Sequence, residues 1–403
     1  MALRFNYNKA DLTAEVCGID EGDTVAHIPD TVEYYRKKYT VTKIASKAFK
    51  ECKTLRSVTL PKCVTEIETY MFQRCSSLQD IVIPDSVKEI GGWAFIECTS
   101  LQSITIPDSV KEIGGMAFYG CTSLKSITIP DSVKEIGRGA FYGCTSLKVF
   151  SGKFASDNGR CLIINDEIVA YAGASGATYC IPEGVTKIGE GAFCSCKNLE
   201  SVTIPDSVKE IGEEAFCYSR LQSITIPDSV KEIGGWAFCG CVNLRSFTIP
   251  NGVTKISSGA LCDCKNLQSV TIPDSVKEIG RAAFCGYESL RSITIPDSVT
   301  DIGEVAFDGC KSLRSITIPD GVTRIGKGAF RGCSGLKEIS IPSSVEIICS
   351  DAFADGQSLK CGIEVANIYN EEDNIIIESD AFTPRVKIKY KRASLITRLF
   401  KKR

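Results

Sequence analysis

Any chemistry in this chain would have to come from sulfur. Its 403 residues hold 21 cysteines and a single histidine, His27. Ten of the cysteines (Cys52, Cys75, Cys98, Cys121, Cys144, Cys196, Cys241, Cys264, Cys310 and Cys333) stand three residues after a recurring Phe, with Leu261 in its place once. Five more (Cys194, Cys217, Cys239, Cys262 and Cys285) stand one residue after it. Three C-x-C pairs result, Cys194/Cys196, Cys239/Cys241 and Cys262/Cys264. A structural zinc needs four donors converging at about 2.3 Å. Here successive pairs would stack along one axis with the two columns pointing apart, so no metal site is expected. An odd cysteine count excludes a fully paired intramolecular disulfide framework. Neighbouring thiols in a column come within bridging range, but their Cβ vectors run parallel. Reduced thiols acting as small buried hydrophobes are the expectation. His27 stands beside Ile28 and Pro29 with no Ser or Cys motif around it, and reads as a surface or cap residue. No glycine-rich phosphate cradle occurs. No catalytic residue, cofactor or metal is expected.

The elements that position these residues are set by one period. Thirteen of the 14 prolines follow Ile or Leu, and from Pro61 on they recur every 23 residues, with one step of 22 and one gap of 52. The phrase "IPDSVKEIG" starts at Ile83, Ile106, Ile129, Ile204, Ile226 and Ile272. In the unit Leu101–Ser123, Ile104 and Ile106 should face inward while Ser103 and Thr105 face outward, because strand side chains alternate. Pro107 has no N–H and ends the strand; Asp108 and Ser109 turn the chain. Val110 and Ile113 return to the core, and Gly114 suits a bend. Ala117, Phe118 and Cys121 have near-helical spacing, which predicts a short helical or 3₁₀ turn on the back. A unit this short cannot bury enough surface alone, so neighbours must stack into a solenoid. Lys88, Lys111, Lys134 and Lys209 then form one solvated column, with Glu89, Glu112, Glu135 and Glu210 beside it.

Composition is that of a folded globular chain: 43% hydrophobic, 24% charged, net charge −2. That charge selects neither nucleic acid nor membrane. No run approaches the roughly 18–20 apolar residues of a spanning helix. The N-terminus lacks the apolar core of a secretory signal, which leaves a cytoplasmic location open.

The unit L-x-S-I-T-I-P-D-S-V-K-E-I-G-x-x-A-F-x-x-C resembles the BspA-like leucine-rich repeat proteins, from about Phe5 to Phe382. Thr13–Phe49 is similar to the capping segment of that family, and Asp157–Gly189 to an insertion seen in it. The resemblance implies a leucine-rich repeat α/β solenoid, a right-handed superhelix with a concave parallel sheet. It implies a bacterial cell-surface or secreted protein that adheres to host or microbial proteins or glycans, with no catalytic residues.

The expected organisation is one solenoid over 1–403. It comprises an N-terminal cap (1–45), a first repeat block (46–147), a hairpin insertion (148–182), a second block (183–359), a C-terminal cap (360–392) and a basic tail (393–403). The insertion should be a hairpin protruding from the stack, with Asn165, Asp166 and Glu167 as candidate contacts. Candidate interaction residues lie on the outward strand columns: Ser103, Thr105, Ser126, Thr128, Ser223 and Thr225. Arg245, Arg291 and Arg314 belong to a column that turns basic from Arg291 to Lys337. Trp93, Trp236, Tyr119, Tyr142 and Phe247 break the repeat and are candidate hot spots. A monomer binding protein or glycan, without nucleic acid or a membrane span, is expected. An intracellular interaction scaffold of the same fold is the alternative.

Overall fold

The computed structural model describes residues 3–20, 22–156, 158–337, 339–354, 363–366, 376–377 and 388–391. They pack as two compact units: Met1–Ala177 with Ile188–Leu199, and Thr178–Lys187 with Glu200–Arg403. Both are stacks of parallel β-coils.

One coil of the first unit shows how the sequence is used. The front strand Ser126–Thr128 pairs in parallel with Val149–Ser151. Ser126 and Thr128 are exposed and Ile127 is buried, the alternation that period 2 demands. Pro130 stops the strand, and its carbonyl accepts the Val133 N–H at 3.1 Å to close the turn. Ser132 does more than turn the chain: its hydroxyl donates to the Val110 carbonyl one coil behind at 2.7 Å. Ser86, Ser109, Ser275, Ser298 and Ser344 repeat this bond in their own coils. The two-residue back strand Glu112–Ile113 then pairs in register with Glu89–Ile90 and Glu135–Ile136. Segment 102–106 keeps the alternation, with Ile104 and Ile106 buried, but forms no assigned strand.

The helical turn expected after the back strand is not there, and no helix occurs among the described residues. Instead Ala117, Tyr119 and Cys121 donate three residues back, to Gly114, Met116 and Phe118. The residues between them donate outward: Met116, Phe118 and Gly120 bond to Arg138, Ala140 and Tyr142 of the next coil. Alternate N–H groups are therefore spent between coils and cannot close a helix. Two left-handed residues enforce the corner, Met116 (φ 55°) and Gly120 (φ 69°). Trp93 and Glu97, Trp236 and Gly240, and Val305 and Gly309 repeat the pair. Gly114 itself does not have positive φ; a Cβ there would lie 2.4 Å from the Gly92 nitrogen, so the residue is needed for close approach between coils.

The core is a set of ladders. Phe49, Phe72, Phe95, Phe118 and Phe141 stack at 5.3–5.5 Å with planes within 8°. In the second unit Phe284, Phe307, Phe330 and Phe353 stack at 5.2–5.4 Å, with planes within 22°.

The 52-residue gap hides a coil. Gly189 N–H donates to the Ile168 carbonyl at 2.9 Å, as Gly114 does to Ile90 at 2.7 Å. Tyr171 N–H donates to Ala192 at 2.9 Å, as Phe95 does to Ala117 at 2.8 Å. Glu167–Tyr171 is thus a back strand, with Ala170–Tyr171 in the place of Ala-Phe. The strand Cys161–Ile164 pairs antiparallel with it, so the expected hairpin exists. It does not protrude: Cys161, Leu162 and Ile168 are each 0% exposed. From Ile168 to Tyr171 the coil is two residues shorter than from Ile90 to Phe95, and Arg138 reaches across to Glu190 at 3.2 Å.

Four strands, Leu3–Asn8, Thr13–Ile19, Lys37–Ile44 and Thr31–Tyr34, form a mixed sheet at the start of the first unit. In the second unit the front sheet runs on through Ile363–Ala366 to Ile388–Lys391, in parallel. The basic tail 393–403 and the side chains from 355 on lie outside the described residues.

Candidate interaction face and thiol column

The outward columns behave as expected. Ser103, Thr105, Ser126, Thr128, Ser223 and Thr225 are exposed, and so are Arg245, Arg291 and Arg314. In the second unit the Arg314 N–H donates to the Arg291 carbonyl at 2.9 Å, and Lys337 N–H to Arg314 at 3.4 Å. Arg291, Arg314 and Lys337 therefore start three consecutive front strands about 4.8 Å apart. No ion pair among the described residues involves them. Asn165 (φ 50°) and Asp166 (φ 61°) form the exposed tip of the hairpin, the double left-handed geometry of a type I′ turn. Glu167 begins the back strand and is half-buried.

Two proposed hot spots are corrected. Phe247 is 3% exposed, because it occupies the inward strand position and packs on Phe238 at 4.9 Å. Tyr142 is 6% exposed and lies over Gly191, where an added Cβ would meet its ring. Trp93 is half-buried between Tyr70 and Tyr119; Trp236 and Tyr119 are exposed. His27 is exposed at the end of the front strand Val25–His27.

The first thiol column is interior. Cys98, Cys121, Cys144, Cys264 and Cys333 each donate to a Phe carbonyl one coil behind, at 3.2 Å. Burial pushes the Cys98 and Cys144 thiols up to about 12. Two coils depart from the pattern. Ser219 is buried against the Cys241 sulfur at 3.3 Å. Tyr287 is 0% exposed, and its hydroxyl has no partner among the described residues.

The second column lies nearer the surface. Tyr218, Gly240 and Asp263 N–H groups donate to the Cys239, Cys262 and Cys285 carbonyls at 2.7–2.8 Å. Four consecutive coils therefore carry Cys217, Cys239, Cys262 and Cys285 in line. Hydrogen bonds from Cys217 and Cys262 hold the Cys239 thiol well below the usual range, and the hydrogen bonds of Cys262 with Cys239 and Cys285 push its own thiol up. The Cys239 and Cys262 sulfurs and an Asp263 carboxylate oxygen all lie within 4.8 Å of one another. Sequence reasoning missed this group, since it treated the two columns and ignored the acid between Cys262 and Cys264. No cysteine among the described residues is in a disulfide. Two cavities, one lined by Phe238, Phe247 and Leu261 and the other by Tyr142 and Tyr171, each offer about 10 Å³, room for one water.

The BspA type leucine-rich repeat region matches residues 31–151, 167–286 and 254–389, in 6 copies. The chain belongs to the BspA-type leucine-rich repeat family. Its fold is similar to a leucine-rich repeat protein from Bacteroides ovatus ATCC 8483, at 30% identity and TM-score 0.53, over 97% of this chain and 98% of that one. A leucine rich cell surface protein from Faecalibacterium prausnitzii A2-165 is 33% identical with TM-score 0.54, covering 92% of this chain and 95% of that one. The pneumococcal vaccine antigen PcpA shares the fold at 18% identity and TM-score 0.55, over 97% of each chain. Among curated protein sequences, none matches. No helix among the described residues is long and apolar enough to cross a membrane. The second family match begins at Glu167, the first residue of the hidden coil's back strand.

Proposed function

We propose that this chain is a non-catalytic interaction protein that works as a monomer at a cell surface, holding protein or glycan partners. One observation carries the reading: Arg291, Arg314 and Lys337 stand in line on an exposed, hydroxyl-lined front face without anionic partners among the described residues. Like charges one strand apart repel by up to roughly 1 kcal/mol per neighbour in water. An anionic ligand, an acidic protein segment or an acidic glycan, relieves that repulsion and gains charge-assisted hydrogen bonds from the two guanidinium groups. Repetition of Ser and Thr on either side suits many weak contacts rather than one pocket. The surface location rests on likeness to the Faecalibacterium protein, a leucine rich cell surface protein. The exposed Asn165–Asp166 tip is a second contact, one that would take a neutral or cationic group because it carries a carboxylate.

A second reading, an intracellular scaffold of the same fold, is favoured by the described cysteines being in no disulfide, which suits a reducing compartment. Protease shaving of intact expressing cells separates the two. Loss of the protein supports the surface reading; an untouched protein that is cut after lysis replaces it with the scaffold.

A further inference from the structure

The second thiol column contains the described chain's densest set of metal-type donors, and nothing in the interaction role uses it. Cys239 and Cys262 are 4% and 6% exposed, yet Asp263 brings a half-buried carboxylate to them from the surface side. Asp263 holds a left-handed conformation (φ 56°) where the coils before and after carry Gly240 and Gly286. A Cβ on Gly286 would come within 2.4 Å of an Asp263 carboxylate oxygen. The carboxylate thus occupies space that only glycine leaves open. Among the described residues no Lys or Arg forms an ion pair with it; the arginine of this face, Arg331, stands three coils further on and is engaged with Asp308 at 2.6 Å.

We propose that Cys239, Cys262 and Asp263 form a binding site for a thiophilic divalent cation of the zinc type. Two thiolates and a carboxylate suit zinc and exclude calcium and magnesium, which take oxygen ligands. Tetrahedral bonds of about 2.3 Å to sulfur set the two sulfurs about 3.8 Å apart. The donors already lie within 4.8 Å of one another, so the sulfurs need close by no more than about 1 Å. Binding releases to solvent whatever proton the two thiols still carry as the metal–sulfur bonds form. Cys217 and Cys285 flank the pair, and either one, or a water, completes the fourth position.

The test uses the full chain, reduced and stripped with a chelator. Zinc is titrated against a chromophoric competitor, and cadmium is followed by its thiolate charge-transfer absorbance. One saturable equivalent is expected for each metal. Asp263→Asn should weaken zinc at least tenfold, Cys239→Ser/Cys262→Ser should abolish the cadmium band, and Cys121→Ser, in the interior column, should change neither. Absence of a saturable equivalent overturns the proposal. So does wild-type affinity in both Asp263→Asn and the double serine variant. Because Asp263 is not a core residue, its variant remains decisive if the double variant does not fold.

Discussion

Cys121 donates its thiol hydrogen to the carbonyl of Phe95, one coil behind, at 3.2 Å. The same carbonyl accepts the Cys98 N–H at 3.1 Å. A thiol is small enough for the space beneath the Phe ladder and still supplies a donor, which a methyl group cannot. Cys121→Ala removes both the packing and the bond and should cost about 1–2 kcal/mol. Cys121→Ser keeps a donor, as Ser219 does naturally, and should cost less. Urea midpoints of the two variants decide the order.

The buried column also makes the fold sensitive to alkali. Cys98 and Cys144 titrate near 12 in the folded chain, against about 8.5 when unfolded. Above about 8.5 the unfolded chain loses these protons while the folded chain keeps them. Stability is therefore whole below that pH and falls between about 8.5 and 12, by up to about 1.4 kcal/mol per pH unit for each buried thiol. Urea midpoints across that range should drop steadily. At neutral pH, alkylation should spare Cys98 and Cys144 until denaturant is added.

Left-handed corners predict an asymmetric response to glycine replacement. A Cβ on Gly120 would meet nothing closer than 3.4 Å, so Gly120→Ala tests conformation rather than packing. With φ at 69° it should destabilise by about 1–2 kcal/mol. Gly22 has φ 98° and open space around it, but stands outside the repeat corners, where a similar change is less coupled to the stack.

The hidden coil makes a prediction that separates core from contact. Tyr171→Ala should cost about 3–5 kcal/mol, since the ring packs on Phe193 at 4.8 Å and its hydroxyl accepts from Arg160 at 2.6 Å. Replacing Asn165 and Asp166 by Gly-Gly should leave the thermal midpoint nearly unchanged, because both side chains are exposed and glycine tolerates a type I′ turn. Deleting the insertion outright would instead remove a back strand.

Much of this was legible because the repeat is nearly exact. The period assigned the inward Ile, Val, Phe and Cys positions and the outward Ser and Thr positions correctly. Four features escaped it. Near-helical spacing of Ala117, Phe118 and Cys121 could not reveal that alternate N–H groups bond to the next coil. The Tyr171 coil lacks the Ile-Pro stop and the Phe, so the period skipped it. Phe247 looked like a break in the pattern, although its position in the strand already faced it inward. Asp263 was missed because its closeness to Cys239 spans two coils, a relation that no single unit displays.

The central claim is that the line of Arg291, Arg314 and Lys337 recruits an anionic partner. It is tested by retention of components from extracellular-matrix and bacterial-surface extracts on the immobilised full chain, compared with Arg291→Glu/Arg314→Glu/Lys337→Glu. The account predicts a retained acidic protein or glycan that elutes as salt rises and is lost, by tenfold or more, in the triple variant with an unchanged melting midpoint. Equal retention by both chains, or no retention by either, would contradict it.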